Sequence, residues 1–128
     1  MKKLRVVLSG IGNRALPKKP EGSSWLGWVE LIKRSKCFQL VGAHDLSTEA
    51  VKRIVERGYL NPEQVYADLT TMLREVECDA VLICNPAEHH AATIKAALDF
   101  NRHALVEKPF VRNFQEGKEL LRLIKAKK

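Results

Sequence analysis

The sequence contains no apolar run near the roughly 20 residues that a membrane-spanning helix requires. Its first four residues include two lysines but lead into no long apolar segment and no small-residue cleavage site, so no signal peptide is predicted. Both absences favour a cytoplasmic protein without membrane contact. What remains, 45% hydrophobic and 29% charged residues in a chain of 128, has the composition and size of one globular domain.

Cysteine is also scarce, and the three that occur lack Cys-x-x-Cys spacing. A disulfide framework and a zinc knuckle are therefore not indicated, and no metal site is predicted. We expect Cys37, Cys78 and Cys84 to be small buried hydrophobic residues. For Cys84, which follows an apolar run, a reactive thiol is the alternative.

Acidic residues are scarce near the N-terminus. The first 36 residues carry nine Lys or Arg against Glu21 and Glu30, whereas the remaining 92 carry thirteen of each sign, so the whole net charge of +7 is N-terminal. Such a patch fits an anionic ligand, and a solvated basic surface is the alternative. Aromatic residues are 6% of the chain and are not interleaved with the basic ones, so nucleic acid is not expected as a partner.

A glycine-rich turn follows the first apolar segment. Residues 4–9 lead directly into Gly10-x-Gly12-x-x-Ala15, which is typical of a buried parallel strand that ends in a phosphate-binding turn. Gly10 permits the tight reversal, and Gly12 has no Cβ to obstruct a pyrophosphate that approaches the backbone. The pattern alone is weak, because it also marks ordinary tight turns.

Strand and helix patterns alternate through the rest of the chain. The prolines and glycine of residues 16–23 forbid a continuous helix, so Ser23 or Ser24 is the expected cap of the first helix, whose Trp25 and Trp28 are expected to anchor the core or a loop. Further strands are predicted over 38–43, 65–66, 79–84 and 103–106, and further helices over 48–57, after Asp68, from 88 or 89 to about 100, and over 113–125. This alternation predicts an α/β fold, a doubly wound parallel Rossmann sheet with strand order 3-2-1-4-5 and helices on both faces.

Polar or glycine clusters end four of these strands, at the edge where open sheets of this kind bind ligands. Asp45 ends the second strand, where a carboxylate accepts from adenosine ribose hydroxyls and repels a 2′-phosphate, so NAD is expected and NADP is the alternative. Asp45 follows Gly12 by 33 residues rather than about 20, a surplus about as long as the Pro-containing segment. A helix cap or turn residue is the other interpretation of Asp45, and Ser47 competes for that cap.

Lys108 is the candidate catalytic residue. It lies just past the fifth strand, between Glu107 and Pro109, where its charge can orient an alcohol or stabilise an alkoxide. A surface ion pair with Glu107 is the alternative. His89 and His90 are expected at a helix start with exposed rings, and periodicity favours neither of them as a ligand contact.

These segments together resemble the glucose-fructose oxidoreductase, inositol dehydrogenase and MocA-like family. The resemblance covers essentially residues 1–128 as that family's N-terminal NAD(P)-binding Rossmann domain, and its most specific parts are the triplet Glu107-Lys108-Pro109 and the spacing of Pro86 and His90. It implies that Lys108 touches the reacting hydroxyl and that a cis bond often precedes the proline. It also implies that the pyrophosphate is lined by Gly10, Ile11, Gly12, Asn13 and Arg14, and the adenosine ribose by Asp45. The other half of the cofactor would be contacted by Asn85, Pro86 and His90, and Glu107 and Lys108 would flank the nicotinamide and substrate.

Two features depart from the family pattern. An insertion over 16–23 separates the glycine turn from the following helix, and the chain stops at Lys128, where the family adds a sixth strand and a large α+β substrate domain. We therefore expect the NAD(P)-binding part of an oxidoreductase for sugar- or polyol-like alcohols. It should form homo-oligomers and be inactive unless a second domain or chain supplies the substrate pocket. A free-standing nucleotide-binding or sensing module is the alternative, and a basic interaction protein is a third class.

Overall fold

The computed structural model describes residues 2–18 and 25–127, and in this part of the chain five strands form one sheet. The strands are β1 (Leu4–Ser9), β2 (Phe38–His44), β3 (Val65–Tyr66), β4 (Ala80–Ile83) and β5 (His103–Val106). The α-helices are α1 (Trp28–Arg34), α2 (Thr48–Glu56), α3 (Leu69–Glu75), α4 (His90–Asp99) and α5 (Phe114–Ala126), and 3₁₀ helices span Pro62–Gln64 and Ala87–His89.

Neighbouring strands are parallel, and their order is β3-β2-β1-β4-β5, so the predicted doubly wound α/β fold is confirmed. β1 lies at the centre, with Leu8 level with Ala43 of β2 on one side and Leu82 of β4 on the other. The strand order reverses between β1 and β4. In sheets of this kind the reversal opens a crevice beyond the carboxyl ends of these two strands.

Both faces of the sheet are covered by helices, which explains why β1 is apolar along most of its length. On one face Leu8 packs with Ile54 of α2, and on the other Val7 packs with Ile94 of α4 and Leu120 of α5. Val7 and Leu8 are both fully buried, on opposite faces, as the two-residue period of a strand requires.

Backbone hydrogen bonds join the described residues on either side of the insertion. The Leu16 amide donates to the Gly12 carbonyl at 2.8 Å, which completes one helical turn. The ladder then continues from the amides of Trp28 and Val29, which donate to the carbonyls of residues 14 and 15 at 3.1 and 3.0 Å. In an α-helix such bonds join residues four apart, so these two bonds span about ten more residues of sequence than helical bonds do. This accounts for most of the long spacing between Gly12 and Asp45.

α1 begins at Trp28 with Gly27 as its N-cap, whereas the predicted caps, Ser23 and Ser24, lie outside the described residues. Gly27 has a φ of 91°, and a Cβ at this position would lie 2.6 Å from the Ala15 carbonyl oxygen. The close approach of two backbone segments where the insertion rejoins the helix therefore requires glycine.

Later helix ends agree with the sequence. Ser47, Asp68 and Asn113 cap α2, α3 and α5 by accepting hydrogen bonds from the amide three residues further on. Asn101, after α4, adopts the left-handed conformation with a φ of 57°. Ser47, not Asp45, is thus the cap of α2.

The prediction of buried cysteines is confirmed for Cys78 and wrong for Cys37, which is exposed and directly precedes β2 at the amino edge of the sheet. Cys84 is half-buried, and burial raises the pKa of its thiol to about 12, so it carries no reactive thiolate at neutral pH. Within residues 2–18 and 25–127, no helix is long and apolar enough to cross a membrane, and no cluster of three His, Cys, Asp or Glu could hold a metal.

Candidate functional site

A cleft of about 920 Å³ opens at the carboxyl ends of the strands. Its volume lies within the range of about 300–1,000 Å³ that is usual for small-molecule sites. The predicted site residues that line it are Gly10, Ile11, Gly12, Asn13, Asp45, Asn85 and Pro86. Arg14, His90, Glu107 and Lys108 lie outside this lining, and the structure gives them other neighbours.

The two glycines of the turn serve different purposes. Gly10 has a φ of 95°, and a Cβ there would lie 2.6 Å from the Asn85 Cα, so this glycine is needed for the turn to pass β4. At Gly12 a Cβ would meet nothing within 4 Å among the described residues. Packing against the described residues therefore does not require glycine at position 12, and among them the space above it is open to a ligand.

Asp45 binds the glycine turn through its side chain. Its Oδ2 accepts a hydrogen bond of 2.7 Å from the Ile11 amide, and its Oδ1 accepts one of 2.8 Å from the Ser47 amide. Each carboxylate oxygen has a further lone pair, so these bonds leave acceptor capacity on the cleft side. Asp45 is therefore a turn residue, as the alternative interpretation held, in a position that also faces the cleft.

The carbonyl of Ile11, in the next peptide group, is bound by Arg53 of α2. Its Nη2 donates to the Ile11 carbonyl at 2.7 Å, and its Nη1 pairs with Glu49 at 2.7 Å. The side chain is only 8% exposed and lines the cleft. Arg53 was not predicted as a site residue, because the α2 segment was recognised from its apolar residues alone. Its position between Ala50 and Ile54 on the buried face was the available signal.

Polar side chains form the floor of the cleft between β1 and β4. Asn85 Nδ2 donates to Thr93 Oγ1 at 2.8 Å and lies 3.5 Å from Ser9 Oγ, which in turn lies 3.2 Å from His44 Nδ1. Burial lowers the pKa of His44, so its ring is uncharged at neutral pH. The buried Oδ1 of Asn85 has no hydrogen-bond partner in the described part of the chain, which leaves one acceptor unused at this floor.

Glu107 is held by the helix on the far side of the glycine turn. Its Oε2 accepts a 2.6 Å hydrogen bond from the Trp28 indole and lies 3.6 Å from Arg14 Nε. The Trp28 bond, with support from the Lys108 amide and Arg14, holds the pKa of Glu107 below its ordinary value. In the described part of the chain, the Lys108 ammonium forms no ion pair with Glu107. The alternative interpretation of Lys108 as half of such a pair is therefore wrong.

The Trp pair anchors this region, as expected. Trp25 Nε1 donates to the Arg14 carbonyl at 2.9 Å, and the Arg14 guanidinium lies 4.3 Å from the centre of the Trp25 ring. The Trp25 and Trp28 rings meet edge to face, with centroids 5.5 Å apart. Trp25 and Trp28 thus form a packed aromatic cluster beside Glu107.

The two histidines after β4 have different environments. His89 is exposed and lines the cleft, whereas His90 is 1% exposed, so the prediction of an exposed ring is wrong for His90. The His90 ring bridges two strand ends: its Nε2 lies 2.8 Å from the Asn85 carbonyl oxygen and its Nδ1 lies 2.7 Å from that of Pro109. The Lys108–Pro109 bond is cis, and Lys108 itself is exposed.

Comparison with known proteins agrees with this geometry. Residues 5–128 match the model of GFO_IDH_MocA, described as an oxidoreductase family with an NAD-binding Rossmann fold. A relative is the inositol 2-dehydrogenase/D-chiro-inositol 3-dehydrogenase of Lacticaseibacillus casei, 32% identical over 92 residues, which are 70% of this chain and 26% of that protein. The NADP⁺-dependent scyllo-inositol 2-dehydrogenase IolU of Bacillus subtilis is 27% identical over 107 residues, 82% of this chain and 32% of that protein.

Solved structures share the fold. The WlbA dehydrogenase of Bordetella pertussis, in complex with NADH and UDP-GlcNAcA, superposes with a TM-score of 0.80 at 20% identity over 99% of this chain and 34% of its own. Biliverdin reductase of Synechocystis, in complex with biliverdin and NADP⁺, gives 0.78 at 22% identity over 97% of this chain and 35% of its own. The chain thus spans about a third or less of the length of the proteins named here.

Proposed function

Because the chain belongs to the GFO_IDH_MocA oxidoreductase family and is its NAD-binding Rossmann domain, we propose that the cleft beside Gly12 is its dinucleotide site. The observation that carries this proposal is the open space above Gly12, with the Asp45 carboxylate held next to it on the Ile11 amide. Nothing in the packing of the described residues explains a glycine at position 12, whereas a pyrophosphate against the backbone does.

The cofactor lies along the carboxyl edge of the sheet, with its pyrophosphate over the glycine turn and its adenosine ribose on Asp45. The pyrophosphate contacts are Gly10, Ile11, Gly12, Asn13 and Arg14. Asn85 and Pro86 contact the nicotinamide half, and His90 supports it by holding the carbonyls of Asn85 and Pro109. The unused Oδ1 of Asn85 supplies an acceptor there.

The whole protein transfers a hydride between a nicotinamide cofactor and a sugar- or polyol-like alcohol. Glu107 and Lys108 flank the reacting centre. The exposed Lys108 ammonium, free of an ion pair with Glu107, orients the substrate hydroxyl and stabilises negative charge as its proton leaves. The inositol dehydrogenases among the relatives support this substrate class. A second domain or chain supplies the substrate pocket and the proton acceptor, since the chain spans about a third of its structural neighbours.

Two further properties belong to this proposal. A cytoplasmic location is supported by the three unpaired cysteines, because reducing compartments keep thiols free. Self-association is supported by β5, which pairs with β4 and leaves its other edge open in the described part of the chain.

Calorimetric titration of the 128-residue chain with NAD, NADP and ADP-ribose tests the site. We expect NAD and ADP-ribose to bind with a stoichiometry of one and NADP to bind more weakly. A folded chain that binds none of the three would refute the proposed site. NADH formation by the whole protein with inositols and sugar acids tests the reaction class.

A further inference from the structure

We propose that Arg53 is a positioning residue of the dinucleotide site, an inference that rests on the function proposed above. Its guanidinium binds the Ile11 carbonyl, in the Ile11–Gly12 peptide group, while Asp45 binds the Ile11 amide, in the Gly10–Ile11 peptide group. The glycine turn is thereby kept in its binding shape before any cofactor arrives.

Two elements hold the two successive peptide groups that flank the Ile11 Cα. Arg53 Nη2 donates to the Ile11 carbonyl at 2.7 Å, and Asp45 Oδ2 accepts from the Ile11 amide at the same distance. Ile11 lies between Gly10 and Gly12, and glycine has more backbone freedom than any other residue. A turn that is fixed beforehand binds more tightly, because less conformational entropy is lost when the ligand arrives.

Fold stability alone does not explain an arginine at this position. The residue is buried on the α2 face that also presents Ala50 and Ile54, and its Nε has no hydrogen-bond partner among the described residues. A buried donor without a partner costs stability. A methionine would cover the same apolar surface without this cost but would remove the donor to the Ile11 carbonyl, so the contact with the glycine turn is what the arginine adds.

The fork of the guanidinium matters as well as its charge. Nη1 pairs with Glu49 at 2.7 Å while Nη2 reaches the Ile11 carbonyl, so the two ends of the fork fix each other's direction. The ammonium of a lysine is a single point charge and cannot reproduce this pair of directed contacts. Charge and positioning are therefore separable by substitution.

Titration with NAD distinguishes the two roles. Arg53→Met should weaken NAD binding about tenfold or more, and Arg53→Lys should recover only part of this loss. Lys52→Met is the matched control, because it removes a positive charge from the exposed side of the same helix, where Lys52 pairs with Glu56 at 3.8 Å. NAD affinity in this control should stay within twofold of wild type. Wild-type affinity in Arg53→Lys would assign the effect to charge alone and overturn the positioning role.

Amide hydrogen exchange of the cofactor-free chain gives a second readout. In Arg53→Met the Ile11 amide should exchange faster, while the amide of Val7, in the middle of β1, stays protected. A uniform increase along the chain, or no change at Ile11, would overturn the inference. Gly12→Val separates this from the proposed function: if it abolishes NAD binding while both Arg53 variants bind like wild type, the site is correct and the inference fails.

Discussion

The Trp28 indole nitrogen donates a 2.6 Å hydrogen bond to the Glu107 carboxylate and so joins the start of α1 to the end of β5, residues 79 apart in sequence. The insertion that precedes α1 ends where this bond is made, and Arg14 of the glycine turn completes the neighbourhood of Glu107. Trp28 and Arg14 bind the Glu107 carboxylate, and in the described part of the chain the Lys108 ammonium forms no ion pair with it. The Glu107 carboxylate thereby connects the glycine turn, through Arg14, to the backbone of the candidate catalytic residue Lys108.

Trp28→Phe should destabilise the fold by about 2 kcal/mol at pH 7, the usual worth of a hydrogen bond to a charged group. The pKa of Glu107 is lowered in the folded state, with the Trp28 bond as the first cause. The stabilisation is therefore complete above the unfolded-state pKa of about 4.3 and is lost as the pH falls through the lower folded value. Urea unfolding at several pH values between 3.5 and 8 measures the difference.

Trp25→Phe is the matched control for this prediction. Its indole donates to a neutral carbonyl, that of Arg14, so its cost should not depend on pH in the same window. A Trp28→Phe cost that is unchanged between pH 3.5 and pH 7 would show that the bond does not stabilise the ionised carboxylate.

The sheet could be predicted from the sequence because its signals are local. Buried strands separated by helical periodicity fix a βαβ order, and the right-handed crossover rule then leaves few topologies. The course of the insertion could not be predicted, since the ladder from Trp28 to Arg14 crosses a gap in sequence that no periodicity reveals. The exposure of Cys37 was missed for a related reason: residue type predicts burial on average, and position at a sheet edge overrides it.

The candidate site, too, could be predicted from the sequence only in part. That the glycine turn, Asp45 and Asn85 line one cleft could be predicted, because strand ends in a doubly wound sheet converge on one edge. Arg53 was missed because helical patterns are assigned from apolar residues. The separate environments of His89 and His90 were not predictable from adjacent positions at a helix start, because only the three-dimensional course of residues 109 and 110 buries the His90 ring.

Gly12→Val should abolish NAD binding and leave the free energy of unfolding within about 0.5 kcal/mol of wild type, as for a surface substitution. A Cβ at this position meets no described residue within 4 Å, and the valine side chain enters the space proposed for the pyrophosphate. Gly10→Ala is the contrasting variant. With a φ of 95° and the Asn85 backbone in its path, it should lose at least about 1–2 kcal/mol of stability. Thermal unfolding and calorimetry measure both, and unchanged NAD affinity in folded Gly12→Val would place the cofactor elsewhere.

Asp45→Asn should reduce the preference for NAD over NADP by about tenfold, equivalent to about 1.4 kcal/mol. The amide keeps an acceptor for the Ile11 amide but removes the negative charge that repels a 2′-phosphate. Absolute affinities should fall less than in Asp45→Ala, which also releases the glycine turn. Parallel titrations with both dinucleotides measure the ratio. Equal wild-type affinities that neither variant alters would contradict the ribose assignment.

The 128-residue chain by itself should oxidise no alcohol, even with saturating NAD. Lys108 can orient a hydroxyl, but alignment for hydride transfer and removal of the proton require further groups placed against the substrate. NADH absorbance over a panel of inositols, polyols and sugar acids is the measurement. Robust turnover by a monomeric chain of this length would show that the catalytic groups have been misplaced.

The same chain should self-associate through β5 and α5. β5 pairs with β4 and leaves an open edge in the described part of the chain, with Leu105 57% exposed, and α5 presents Phe114 and Leu121 at 81% and 53% exposure. An open strand edge beside exposed apolar side chains favours pairing with a second strand. Light scattering should therefore give a mass above 14.5 kDa that falls with dilution.

Leu105→Lys should shift the protein toward monomer, because a charge on an edge strand opposes pairing. Leu31→Lys, on α1 against β2, should leave the mass unchanged. A wild-type chain that stays monomeric at high concentration would show that this edge is not an interface between copies.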